Sequence, residues 1–342
     1  MPGFQVTAFQ RGAFQMTGTG KTVLEMVQTA EAELGLPQDT TVTGAGVSAT
    51  GTQLFALANR AVDELRRMPE KGWACLQWEY NLQIPVGLTT TGDMEAGSAV
   101  ITNIPDTSEL ASYIFAVSGS GIPQAARIAS IDSSTQVTMD MLNTNTEDLV
   151  GTSLIFAQDT VPMPPGFDWF QNRTMWDRTN RWELLGPDSP QMDQWHRSGI
   201  VATGPRRHFR QLGPYTNAFR IWPPPTEISA PLQLVFEYMS NSAVMPNGST
   251  TTWQQYFTSD DDQCLLDQDA LIMCMKWMFW EAKGFGSYVT LQNRWVDYVD
   301  KLMARDGAAP TLSMVKRVNP IFISPANVQD GFFPSPSGPV GS

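Results

Sequence analysis

The run Leu271–Trp280, LIMCMKWMFW, constrains this chain more than any other stretch. It belongs to a helix predicted to start at Asp260, Asp261 and Asp262, where acids favour a helix N-terminus, and to run to about Lys283. Gly284 and Gly286 end it. The run is apolar on nearly every side, so the helix must be the buried centre of a bundle. It is too short to span a bilayer and contains Lys276, which argues against a membrane role. The next helix turns Tyr288, Leu291, Trp295, Val299 and Leu302 inward and stops at Gly307–Pro310.

A second helical pair stands near the other end of the chain. From Thr22 to about Leu34 the apolar positions Val23, Val27, Ala30 and Leu34 share one face, and Gly35 and Pro37 stop the helix. Thr22 reads as its N-cap, with Glu25 completing a capping box. After a Thr/Gly-rich loop to Gly51, Leu54, Ala58, Ala61, Leu65 and Met68 point inward, up to Pro69–Gly72. Neither pair can bury its apolar face alone. The sequence therefore predicts an antiparallel four-helix unit built from 22–83 and 258–306, halves that are far apart in the chain.

Between the halves, 84–257 reads as β-rich, and the fold class is α+β. GWACLQWEYNLQIP turns the chain into an extended segment. Within 97–160, short apolar or alternating runs at Val100, Ile114–Val117, Ile128–Ile131, Val137–Met141 and Leu154–Phe156 are separated by turn residues. They predict a small antiparallel sandwich or barrel. Further strands are expected at Phe219–Trp222 and in LQLVFEYM, where Leu232, Leu234, Phe236 and Tyr238 share one face of a one-sided sheet. Residues 1–21 read as an extended arm and 307–342 as an extended tail.

The segment 167–225 stands apart. Tryptophans 169, 176, 182, 195 and 222 alternate with arginines, and both histidines, His196 and His208, fall here. Between Asp168 and Arg220 eight Arg face five Asp/Glu, a local charge of +3 within a chain of net charge −12. Guanidinium planes beside aromatic rings suit a protein interface or contact with a partner's carboxylates or phosphates. The same composition also suits a connector whose tryptophans fill the chain's own core. The candidate interface residues are Arg173, Arg178, Arg181, Arg206, Arg207 and Arg210. Gly204–Pro205 is expected to hold Arg206 and Arg207 out on the surface. Phe332 and Phe333 of the Pro-punctuated tail are candidates for an apolar groove on a partner.

Composition narrows the function. Charged residues make up 16% of the 342, below the ~25% typical of soluble proteins, as expected when surface is buried in an assembly. The acidic balance argues against the whole chain being a nucleic-acid binder. Cys75, Cys264 and Cys274 form no CxxC, and the last two are placed on one helix, so neither a disulfide framework nor a zinc site is expected. No signal peptide is apparent, which fits a chain made in a reducing compartment. TGTGKT, Thr17 to Thr22, looks like a phosphate-binding loop, but position 15 is Gln where the pattern has Gly. Two histidines and no metal spacing leave little for an active site, and no cofactor or metal is expected.

Taken in order, these segments resemble a known family, the head-to-tail adaptors (tail tubular protein A) of short-tailed bacteriophages. The resemblance rests on TVLEMVQTAEAELGLP, NRTMWDRTNRWELLGP, HRSGIVATGPRRHFR, FRIWPPPT, LVFEYMSNSAV, DDDQCLLDQDALIMCMKW and KGFGSYV, and covers roughly 22–306. It implies a non-enzymatic virion protein of the neck, made in the host cytoplasm. Twelve copies would form a ring beneath the portal protein and carry the tail tube or nozzle and the fibres, with DNA passing through. An acidic channel wall would then repel DNA phosphates, so that the genome slides without sticking. Two alternatives are a nucleotide-binding protein using Lys21 and Thr22, and a receptor- or carbohydrate-binding tail protein using the loops of the β module.

Overall fold

The computed structural model describes residues 20–198, 206–213, 217–226, 231–249 and 252–306. Residues 1–19 of the expected N-terminal arm, with 17–19 of the TGTGKT stretch, the expected turn at Gly204–Pro205 and the tail with Phe332 and Phe333 lie outside them. The described chain is mixed α+β. It opens with α1 (Val23–Leu34) and α2 (Ala49–Arg67), then β1 (Gln77–Ile84). Six strands follow: β2 (Leu88–Met94), β3 (Val100–Thr102), β4 (Phe115–Gly119), β5 (Ile128–Ser133), β6 (Gln136–Met139) and β7 (Leu149–Gln158). Next come β8 (Thr160–Pro162), β9 (Phe167–Phe170), β10 (Trp176–Asp177), β11 (Trp182–Glu183) and the short helix α3 (Pro190–Arg197). The chain continues through β12 (His208–Gln211), β13 (Ala218–Trp222), β14 (Leu232–Ser240), β15 (Val244–Met245) and β16 (Gln263–Cys264). It closes with α4 (Gln268–Ala282) and α5 (Tyr288–Asp306).

One apolar core takes side chains from both ends of the chain. Val23, Met26, Val27 and Ala30 of α1 meet Leu54, Ala58, Ala61, Val62 and Leu65 of α2. Between them lies α4, whose Leu271, Ile272, Cys274, Met275, Trp277, Met278 and Phe279 are all buried. From α5 come Trp295 and Val299, with Leu291 and Leu302 half-buried beside them. The α1 start is fixed as its residues dictate. Thr22 accepts from the Glu25 N–H, and Glu25 accepts from the Thr22 N–H. Gly35, at φ +72°, closes the other end in a left-handed conformation that other residues adopt at a cost.

None of the three aspartates expected to start α4 does so, and two of them do something else. The helix begins at Gln268, capped by Asp267. Asp262 is buried and accepts from the N–H groups of Asn247, Thr258 and Ser259. Asp260 accepts from the hydroxyls of Thr41 and Thr43 and the N–H of Val42, and so fixes the α1–α2 loop. Short-range sequence cannot tell a helix-starting acid from one that caps a loop 218 residues away. Cys264, likewise, lies on β16 rather than on α4.

Partial burial works to raise the Asp260 carboxyl, but its three donors prevail and hold it below the usual carboxylate range. A depressed folded-state value means stability that is present above the unfolded value and lost as pH falls through the folded one. Asp260→Ala is expected to cost about 1–3 kcal/mol at neutral pH, and to flatten the acid limb of stability. Urea titrations of both proteins at neutral and acid pH will check this.

The β region forms two groups of strands. The six-stranded sheet has the order β4-β7-β2-β3-β6-β5, entirely antiparallel, around Met94, Ile101, Val117, Ile128, Val137, Leu154 and Phe156. Each terminal strand also meets the residues just before the other: the Val117 N–H of β4 donates to Ala126 O, and the Tyr113 N–H to Ile128 O of β5. Strand β2, LTTTGDM, lies outside the predicted 97–160 span, because a threonine run carries no apolar alternation. The second group is a five-stranded sheet, β1-β14-β10-β11 with β9 also on β14, and a three-stranded sheet, β12-β13-β8. Both sheets contribute to one aromatic core, with Tyr80, Phe236 and Tyr238 from the first and Phe209, Phe219 and Ile221 from the second. The expected face of β14 is there, Leu232, Leu234, Phe236 and Tyr238. The strand is not one-sided, however: Val235 and Met239 on its other face are buried as well, Met239 in the helical core.

Candidate functional site

The arginine-rich segment folds around α3 and the β12–β13 pair. Ser189 caps α3, accepting from the Met192 N–H at 3.2 Å, and Pro190 supplies the preset φ of the first turn. The helix buries Asp193 and His196 on one side. On the other it exposes Met192 (45%) and Trp195 (47%). Along β12 and β13 the register sets Arg210 directly opposite Arg220. Two like charges in that relation repel. Buried Asp193 offsets them, 2.7 Å from Arg210 Nη1 and 3.9 Å from Arg220 Nη1, with Arg197 Nη1 also at 3.9 Å.

The network continues inward. Arg220 Nε lies 3.9 Å from Asp159, whose other oxygen is 2.6 Å from Arg127 Nη2. Arg127 also donates to Tyr113 O and the Thr160 hydroxyl. Four guanidiniums thus surround two buried carboxylates, Asp159 and Asp193, and tie the six-stranded sheet to β13 and α3. Burial lowers Arg220 to about 10, with Arg127 and Arg197 adding repulsion. Burial also pushes the Asp159 carboxyl up, against the pull of Arg127.

The candidate interface residues divide accordingly. Arg207 is not held out on the surface: its side chain is 10% exposed and pairs with buried Asp177 at 3.3 Å. Arg210 belongs to the internal network. Arg173, Arg178, Arg181 and Arg206 are exposed, and Arg178 reaches Glu79 at 3.6 Å. Arg173 and Arg181 have φ of 62° and 61°, the left-handed region that non-glycine residues rarely adopt. Both stand in turns that frame the short β10–β11 pair, which carries exposed Trp176 and Trp182. Among the tryptophans, Trp222 is buried and Trp169 half-buried, so the own-core reading holds for part of the set and surface display for the rest.

Sequence reasoning missed a third cluster. Gly186, at φ +149°, lets residues 185–188 run beside 207–209; a Cβ there would meet Phe209 O at 2.5 Å. The Asp188 N–H donates to Phe209 O at 2.8 Å. This brings Asp188 between both histidines: Asp188 Oδ2 is 3.7 Å from His196 Nε2 and 3.4 Å from His208 Nδ1. The imidazole centroids are 4.1 Å apart. The one available signal was that both histidines and an aspartate fall within a short span, but their meeting depends on a parallel pairing with no local signature.

Elsewhere the residue chemistry is quieter. Burial pushes the Cys75 and Cys264 thiols up to about 12, which keeps them protonated. Lys21 Nζ lies 3.6 Å from Asp269, and the Lys21 N–H donates to Gln268. An open groove of 590 Å³ on the six-stranded sheet is lined by Thr89, Thr90, Thr91, Asp106, Glu109 and Ser153, among others. Among the described residues no helix is long and apolar enough to cross a membrane. A scan of protein-family models and a search of curated proteins find no match to this chain.

Proposed function

We propose that the chain is a non-enzymatic structural adaptor of a short-tailed bacteriophage. It would form a ring of twelve copies beneath the portal, hold the tail tube or nozzle and fibres, and leave DNA a channel. The place of work would be the neck of the virion, after synthesis in the host cytoplasm. In this reading α1, α2, α4 and α5 act as one antiparallel four-helix platform. The six-stranded sheet is a small barrel-like module on its flank, and the two smaller sheets form a sandwich between them. The tail docks Phe332 and Phe333 on the portal.

The observation that carries the reading is the display of Arg173 and Arg181 in left-handed turns around exposed Trp176 and Trp182. A strained backbone costs of order 1–3 kcal/mol, and persists where the surroundings or a function require it. Arg and Trp are the usual anchors of protein interfaces, and an acid-rich chain offers each arginine carboxylates on a neighbouring copy.

The triple variant Arg173→Glu, Arg178→Glu, Arg181→Glu is expected to weaken ring or portal assembly by about tenfold or more. Its melting temperature should stay within a few degrees of the parent, because these side chains are exposed. Sedimentation and electron-microscope images of the protein, alone and with portal, provide the measurement. Normal rings with normal portal binding would remove these arginines from the interface. Intact rings that fail to retain DNA would assign them to the nucleic acid instead.

A further inference from the structure

The cluster of Asp188, His196 and His208 has no task in the adaptor reading, and its chemistry is specific. The buried carboxylates around it are matched to guanidinium: Asp177 to Arg207, Asp159 to Arg127 and Arg220, Asp193 to Arg197, Arg210 and Arg220. Among the described residues, the ion-pair partners of Asp188 are the two imidazoles alone. His196 is 6% exposed, yet neither of its ring nitrogens has a hydrogen-bond partner, and His208 Nδ1 has none either. A buried polar atom left in that state costs about 1–3 kcal/mol, unless something not made of protein completes it.

The spacing says what that is. At 3.4 and 3.7 Å the nitrogen–oxygen separations exceed the 2.7–3.2 Å of a hydrogen bond. The edge of a tetrahedron about a metal with ligands at about 2.0–2.1 Å is roughly 3.3–3.4 Å; the His208 separation equals it and the His196 separation exceeds it by about 0.3 Å. One ligand atom from each of the three residues lies within 4.8 Å of the others. We propose that Asp188, His196 and His208 bind one divalent transition-metal ion of the zinc class, with a fourth position left for water or a further ligand.

Two imidazoles and a carboxylate suit zinc, cobalt or nickel, whereas magnesium and calcium prefer oxygen-only sets. The neighbouring cations do not oppose it, because Arg207 and Arg197 are each committed to another carboxylate. The ion would join three pieces of chain: the segment before α3, the last turn of α3 and the first residue of β12. Because the ligands come together only in the folded chain, binding would stabilise that fold.

The test uses the full chain stripped with a chelator and dialysed into metal-free buffer. Titration with cobalt(II) chloride should give visible absorption bands of four- or five-coordinate cobalt that saturate at one ion per chain. Zinc chloride should displace them, and a large excess of magnesium should not. His196→Ala and the isosteric Asp188→Asn should each weaken zinc binding by about 100-fold or more, beyond the 10–100-fold effect of losing an outer-shell partner. Zinc should raise the melting temperature of the parent but not of Asp188→Asn. Asp188→Asn keeps the side-chain volume, so it remains informative should His196→Ala fail to fold. Absence of saturable binding, equal affinity in parent and variants, or displacement by magnesium would overturn the proposal. Because the free chain is measured, the result is independent of ring assembly.

Discussion

Trp277→Ala is expected to lower the unfolding free energy by about 3–5 kcal/mol, the range for deleting a large buried aromatic side chain. Trp277 sits midway along α4, buried, with its ring centroid 5.8 Å from that of Trp295. Trp295 is itself anchored by an indole N–H donated to Ala270 O at 3.0 Å. The cavity would therefore open between α4 and α5, where both walls are held and neither can collapse into the space. The check is a urea titration followed by far-ultraviolet circular dichroism. A loss below ~1 kcal/mol would mean that α4 is not the centre of the helical core.

Arg127→Met should be nearly as damaging, for a different reason. The guanidinium satisfies Asp159, the Thr160 hydroxyl and Tyr113 O at once, all in a buried place. Removing it leaves the buried Asp159 carboxylate with the Thr160 hydroxyl and Arg220, 3.9 Å away, as its remaining partners, at a cost of about 3–5 kcal/mol. The double variant Arg127→Met, Asp159→Leu should recover much of that loss, since an apolar pair often replaces a buried ion pair without penalty. The pH dependence has a definite sign. Burial already raises Asp159 above the ordinary carboxylate value, and losing Arg127 raises it further. A raised folded-state value favours the folded chain at low pH, and that advantage fades as pH climbs through the window between the unfolded and folded values. The deficit of Arg127→Met should therefore shrink on acidification. A deficit that stays constant or grows as pH falls would contradict the buried-charge account.

Some of this protein is local, and local things are legible. Thr22 and Glu25 are three residues apart, and the capping box they predict is formed. The all-round apolar composition of Leu271–Trp280 is enough to place α4 in a core. Alternation in LQLVFEYM names the residues that β14 turns toward the aromatic core. What failed locally did so because one residue type serves two ends. Asp260 and Asp262 look like helix starters but cap loops, and Leu88–Met94 is a strand without the apolar beat of one.

The arginine segment shows where local reading stops. Its charge and its tryptophans were visible, but not which arginines are internal. That was decided by register: placing Arg210 opposite Arg220 demanded an acid, and α3 supplied Asp193. Arg207 was drawn in by Asp177 from β10, thirty residues earlier.

The sequence by itself determined the α+β class, the existence of the four long helices, and a basic aromatic island in an acidic chain. Helical and strand periods are set by neighbours a few residues apart, and net charge needs no geometry at all. Only the tertiary structure decided which arginines stay exposed, where Asp260 and Asp262 spend their oxygens, and that Asp188, His196 and His208 converge. Those outcomes depend on which distant segments lie side by side, and the physical cause is burial. Once the β12–β13 pair and α3 close over the same space, every charge inside must find its partner there or destabilise the fold.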